Sequence, residues 1–283
     1  MVRLAHVIGA TQLVLLVGLV AVAGVEGLVI GVLVGSATAV GWLLASRLPH
    51  NPLGWMLLFV GGFFALAGPV YGMGLLLEDR APGLAAWCFW FAGGDDEGWI
   101  WLPPVGLLFT QVLLRFPDGK LPSPRWRWFS RLTIGLLVSA TVLAAVGYPE
   151  VRAGLPNPVY LPWVAAHEAV LLPLVGLPLL GCFLGSAVSV VVRYRRAGSL
   201  ERTQIRWVAW AASAVVGMYV VSFSVPWSVE NVLNQAVVVM YALIPVAIGI
   251  AVMRYRLYEI DRIVSRSISK PRTPAVGRTT ALH

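Results

Sequence analysis

Charge is scarce in this sequence, and negative charge scarcest of all. Only 12% of the 283 residues are charged, with 13 Asp and Glu against 21 Lys and Arg, about half the ~25% charged content of a typical soluble domain. Cysteine occurs twice, as Cys88 and Cys182, which excludes a disulfide scaffold. The four histidines (His6, His50, His167, His283) stand in unrelated places. His167 and Glu168 lack further ligand-type neighbours, so no metal site is expected. No G-x-x-x-x-G-K-[ST], H-E-x-x-H or G-x-S-x-G occurs, so nucleotide-loop, zinc-hydrolase and serine-hydrolase chemistry have no signature here. Neither a catalytic residue nor a cofactor is expected.

What the chain has in excess is apolar: AVILMFWYC make up 58% of it, and mean hydropathy is +0.80. Disorder is excluded, because it requires low hydrophobicity. A bilayer core of ~30 Å takes about 20 mostly apolar residues per helix. Eight segments qualify, at about 4–24, 27–46, 53–77, 99–114, 132–148, 166–192, 207–223 and 232–253. The first two share one apolar run that holds a single charge, Glu26, and turn near residues 24–27. The expected fold class is all-α: an integral membrane helical bundle of about eight transmembrane helices over 1–253. A basic cytoplasmic amphipathic segment and tail follow over 254–283.

The excess of positive charge sharpens this expectation. Arg3, Arg47, the bases of 115–131 and 193–206, and those of the tail account for 19 of the 21 basic residues, all on one side of the alternation. Only Arg80 and Arg152 fall on the other side, together with nine of the 13 acids. Basic residues concentrate in cytoplasmic loops, so both termini are expected in the cytoplasm of a multi-pass plasma-membrane protein. Arg3, an apolar stretch and Ala21-Val22-Ala23 also resemble a signal peptide. The stretch is nearer 19 residues than the usual ~7–15 of a signal core, which favours an uncleaved anchor. Cleavage would leave seven spans.

Two loops stand out. Phe116-Pro117-Asp118-Gly119-Lys120 has the residue order of a tight turn, followed by Arg125, Trp126, Arg127 and Trp128. Alternating Trp and Arg could stack on nucleic acid. At the end of a span they form an interfacial belt instead, with arginines on anionic lipid, and no nucleic-acid partner is expected. The outer segment 78–101 carries Trp87, Phe89, Trp90, Phe91, Trp99 and Trp101 beside Asp95, Asp96 and Glu97. Its apolar run, residues 85–91, is too short to span. It could anchor at the interface, or form a ligand-sensing cap whose aromatic pocket and acidic rim suit an apolar or cationic molecule.

Four stretches carry a family resemblance. They are Arg47-Leu-Pro-His-Asn-Pro-Leu-Gly-Trp55, Leu114-Arg-Phe-Pro-Asp-Gly-Lys-Leu-Pro-Ser-Pro-Arg-Trp126, Glu201-Arg-Thr-Gln-Ile-Arg-Trp-Val-Ala-Trp210, and the run 248–268 around Arg254-Tyr255-Arg256-Leu257-Tyr258-Glu259-Ile260-Asp261-Arg262. In this order they resemble the multi-span N-terminal membrane region of actinobacterial sensor histidine kinases, over roughly residues 1–269. The resemblance implies a sensory, signal-transducing module. Its stretch 254–262 would relay to a cytoplasmic output domain, with Arg254, Tyr255, Arg256, Leu257, Tyr258, Asp261 and Arg262 as relay residues. A plain inner-face anchor is the simpler reading of the same stretch. Beyond Ser269 neither a phosphoacceptor helix nor a nucleotide-binding glycine motif occurs. No catalytic residue of that family is therefore carried over, and kinase activity would need a partner chain. A truncated kinase and a naturally short protein both fit this ending. The partners implied are a histidine kinase or a second copy of the chain, with anionic lipid at the inner face. A small transporter or permease is the alternative from another class, and a non-signalling remnant is a third.

Overall fold

The structure is a computed structural model that describes residues 1–94, 98–222, 236 and 239–253. Its architecture is a bundle of apolar helices, as the hydropathy pattern requires. Helical backbone runs over α1 (Val2–Arg47) and α2 (Pro52–Leu77), with a short α3 (Pro82–Ala92). Then come α4 (Trp99–Arg115) and α5 (Trp126–Gly147). A small antiparallel hairpin, β1 (Glu150–Arg152) and β2 (Leu155–Pro156), precedes α6 (Pro162–Ala166). The chain continues through α7 (Glu168–Arg196), α8 (Ser199–Ser222) and α9 (Val239–Met253).

Five helical stretches are long and apolar enough to cross a membrane: Val2–Ala21, Ile30–Arg47, Pro52–Leu77, Trp126–Gly147 and Glu168–Arg196. They coincide with the first, second, third, fifth and sixth expected spans. The fourth expected span is a helix of 17 residues, about 25 Å at 1.5 Å per residue, shorter than a ~30 Å bilayer core. It starts as a 3-10 turn, Gly98–Trp101, and carries a π-turn at Leu108–Val112. The seventh expected span lies in α8, whose first turns hold Glu201, Arg202 and Arg206. Of the eighth, Ala236 and residues 239–253, which form α9, fall among the described residues. The fifth helix begins at Trp126, six residues before the expected boundary, because Trp126, Arg127 and Trp128 extend it beyond the apolar stretch. The hairpin at 150–156 was not foreseen from the sequence.

α1 cannot be straight over its 46 residues, for its two halves touch. The Thr38 hydroxyl donates to Gln12 Oε1 at 3.0 Å, and Trp42 Nε1 donates to His6 Nδ1 at 2.8 Å. The arms Val2–Ala21 and Ile30–Arg47 therefore lie side by side, as the expected turn near 24–27 requires. The second arm packs on α2 through its smallest residues. A Cβ on Gly41 would stand 2.6 Å from the Leu58 backbone nitrogen, and one on Gly54 would stand 2.5 Å from that of Ala45. Backbones this close need glycine, the small-residue packing that membrane helices use where water gives no hydrophobic drive.

The main core joins Leu44, Leu53 and Leu57 to Leu108, Val112 and Phe116, and these to Ile205, Val208, Ile244 and Ile248. It thus ties α1 and α2 to α4, α8 and α9. Outward, apolar side chains stand exposed at helical spacing along α7, among them Val170, Leu174, Leu177, Leu184, Val188 and Val191. In water such a stripe would be a liability. Against acyl chains it is the expected outer surface.

Candidate functional site

The basic loops come together at one end of the bundle. There the turns at 48–51 and 117–120 meet the start of α8 and the end of α9 around a cavity of about 480 Å³, lined by Arg47, His50, Asn51, Asp118, Lys120, Glu201, Gln204 and Val252 among others. Each wall has a local cause. Asn51 caps α2, its Oδ1 accepting from the Leu53 amide at 3.0 Å, with Pro52 in the first turn where its missing N–H costs nothing. Asp118 accepts from the Lys120 amide at 3.1 Å, an Asx turn completed by Gly119 at φ 80°. A Cβ on Gly119 would press on Asn51 Oδ1 at 2.6 Å, so glycine serves both the turn and the approach of the two loops.

Arg193, near the end of α7, fixes the second loop from behind. Nη1 donates to Asp118 at 2.8 Å, and Nη2 donates to the Leu114 carbonyl at 3.3 Å and to that of Lys120. Its Nε is buried without a hydrogen bond among the described residues. Beside it, Arg115 donates to Gln111 and, at 3.2 Å, to the Ser130 hydroxyl, which itself donates to Gln111 Oε1 at 2.7 Å. On the last wall, Gln204 Nε2 donates to the Ala251 carbonyl at 2.8 Å and couples α8 to α9. The side chains of Arg47, His50, Lys120 and Glu201 make no hydrogen bond or ion pair among the described residues. Among the described residues the site thus offers two free cationic groups, Arg47 and Lys120, and one free carboxylate, Glu201, beside an apolar rim.

Three of the four stretches that carry the family resemblance contribute walls: Arg47 and Asn51, Asp118 and Lys120, Glu201 and Gln204. The fourth contributes Val252. Sequence reasoning singled out these stretches one by one but did not join them, since nothing in a linear pattern says that loops 70 and 80 residues apart meet. The relay residues Arg254, Tyr255, Arg256, Leu257, Tyr258, Asp261 and Arg262 lie outside the described residues.

At the opposite end stand the aromatic residues expected to form a cap. α3 is a true helix, closed by Gly93 at φ 97°, whose amide bonds back to Phe89 and Trp90. It turns its aromatics in different directions. Phe89 is fully buried against Tyr71, while Trp87 is 47% exposed. Trp90 and Trp99 pack at 5.1 Å, with Phe91 6.4 Å from Trp99. Trp101 belongs elsewhere, 4.8 Å from Phe64 in the helical core, its indole N–H buried without a partner among the described residues. Trp90 and Trp99 line a cavity of about 300 Å³ with Tyr148, Glu150 and Asn157. Their indole N–H groups are already spent on the carbonyls of Ala145 (2.9 Å) and Trp90 (3.0 Å). Ring faces and the Glu150 carboxylate are what this second cavity offers. Asp95, Asp96 and Glu97 lie outside the described residues.

The hairpin holds the cap down. Arg152 donates to Glu78 at 3.0 Å and to the Tyr71 hydroxyl at 2.7 Å, with its guanidinium 5.0 Å from the Phe89 ring centroid. Comparison with protein-family models, with curated proteins and with solved structures finds no match to this chain.

Proposed function

We propose that this chain is a membrane-embedded sensory and signal-transducing module of eight spans, with both termini in the cytoplasm of a plasma-membrane protein. The observation that carries the reading is the shared cavity at the basic end. Val252, one residue before the end of α9, lines the same space as the turns at 48–51 and 117–120. A change in helix packing that moves these turns also moves the end of α9, the residues that directly precede 254–262 in the chain. The charge alternation supports placing this end at the inner face. The cap at the acidic end, with Trp90, Trp99 and Glu150 around a cavity, supports an input from outside by an apolar or cationic molecule. The output passes through 254–262 to a histidine kinase, or within a pair of copies of this chain.

The test is expression of the full chain in the membrane of a host carrying sensor kinases, with and without Trp90→Ala. A signalling module co-purifies with a kinase and changes its phosphorylation, and Trp90→Ala alters that change. A saturable solute flux into vesicles, lost on replacing Gln12 or Gln111 and accompanied by no kinase association, would overturn the reading in favour of a transporter.

A further inference from the structure

The cavity at the basic end has the chemistry of a phosphate-ester site at headgroup depth. Its open charges are Arg47, Lys120 and Glu201, since Asp118 is held by Arg193 at 2.8 Å. Arg47 stands at the last residue of an apolar helix and Lys120 in a turn just past another. Both cations therefore lie where apolar helices end, and neither has a partner among the described residues. Arg47 and Lys120 reach one cavity from separate loops, both exposed, and an anion with two acceptor oxygens can take a charge-assisted hydrogen bond from each. The volume of about 480 Å³ exceeds that of an inorganic phosphate and falls in the range of pockets that enclose a small organic ligand. Leu48 and Val252 supply an apolar side, which a free phosphate does not need and a glycerol backbone does. Glu201 offers an acceptor to the hydroxyl or ammonium groups of a headgroup.

We propose that this cavity binds one phosphate diester, that of an inner-leaflet phospholipid headgroup, between Arg47 and Lys120. The assignment rests on the basic end lying at the membrane surface and not on any signalling role, so its failure would leave the signalling reading standing. A bound headgroup bridges the turn after α1 to the turn after α4, and packs against the last residues of α9.

The experiment is native mass spectrometry of the full chain in detergent, titrated with phosphatidylglycerol. The expected result is one tightly held lipid per chain. The pair Arg47→Gln with Lys120→Gln should weaken it roughly 10–30-fold, the loss expected for two cations facing an anionic headgroup. The control pair Arg125→Gln with Arg127→Gln, exposed bases outside the cavity, should leave it unchanged, and Glu201→Gln should not weaken it by removing a negative charge. Arg47 and Lys120 are exposed, so both pairs should melt at the parent temperature. Inorganic phosphate and glycerophosphoglycerol, added to lipid-free micelles, distinguish the sources. Binding of these with the same dependence on Arg47 and Lys120, and no retained lipid, keeps the phosphate chemistry and makes the ligand a soluble one. Equal loss of lipid from both double variants, or no loss from the Arg47 and Lys120 pair, overturns the proposal.

Discussion

Arg193 and Asp118 meet at 2.8 Å across 75 residues of chain. They are unequal partners: the Arg193 side chain is 10% exposed and that of Asp118 54%. Asp118→Ala should cost about 1 kcal/mol, because the Arg193 guanidinium keeps its bonds to the Leu114 and Lys120 carbonyls while the Lys120 amide loses its acceptor. Arg193→Met should cost roughly 2 kcal/mol or more, since it also strips the Leu114 and Lys120 carbonyls of their donor. Thermal unfolding of the two variants in the same detergent measures the difference. Equal losses would mean that Arg193 acts only as the counter-ion of Asp118.

The glycine contacts between α1 and α2 predict a second asymmetry. Gly41→Leu forces side-chain atoms into the Leu58 and Gly54 backbone and should cost about 1–3 kcal/mol by overpacking. Gly135→Ala on α5 meets nothing within 4 Å and should stabilise by up to about 1 kcal/mol through helix propensity. Unfolding in detergent, read by circular dichroism, should rank Gly135→Ala above the parent and Gly41→Leu below it.

Gln12 is the buried polar link among three helical stretches, donating to the Leu58 carbonyl at 2.8 Å and accepting from Thr38. A double-mutant cycle of Gln12→Leu and Thr38→Val should give a coupling of about 0.6 kcal/mol, the typical worth of such a bond between membrane helices. No measurable coupling would mean that the two side chains do not meet.

Much of this fold was legible because hydropathy acts locally. Each run of about 20 apolar residues has to bury its own backbone polarity in a helix, and so the helices stand close to where the run lengths put them. The turn at 117–120 was equally readable, for Pro117, Asp118 and Gly119 determine it among themselves. The sites were much less so. Phe89 and Trp87 look alike in sequence, yet one is sealed against Tyr71 and Arg152 and the other faces outward, because their angular positions on α3 differ. Trp101, two residues from Trp99, leaves the cap entirely and joins Phe64. Arg152 looked like a stray base on the acidic side until the hairpin placed it on Glu78, Tyr71 and Phe89. Such pairs are set by long-range packing, which no local pattern records.

The two cysteines offer a direct check on topology. Cys182 is 2% exposed within α7, whereas Cys88 on α3 is half-buried at the acidic end. A membrane-impermeant maleimide added to intact cells should label Cys88 and not Cys182, and Cys88→Ser should abolish the signal. Labelling of Cys88 only after permeabilisation would reverse the proposed orientation.

The bond from Gln204 to the Ala251 carbonyl carries a thermodynamic consequence. Because one wall of the basic cavity is the end of α9 itself, a ligand whose contacts with that wall differ between two tilts of the helix would link occupancy of the cavity to the tilt. A ligand that prefers one tilt by a given factor must be gripped more tightly, by the same factor, when something else imposes that tilt. Leaflet composition and whatever seizes the chain after Met253 would then each tune the other, through a single amide at position 204.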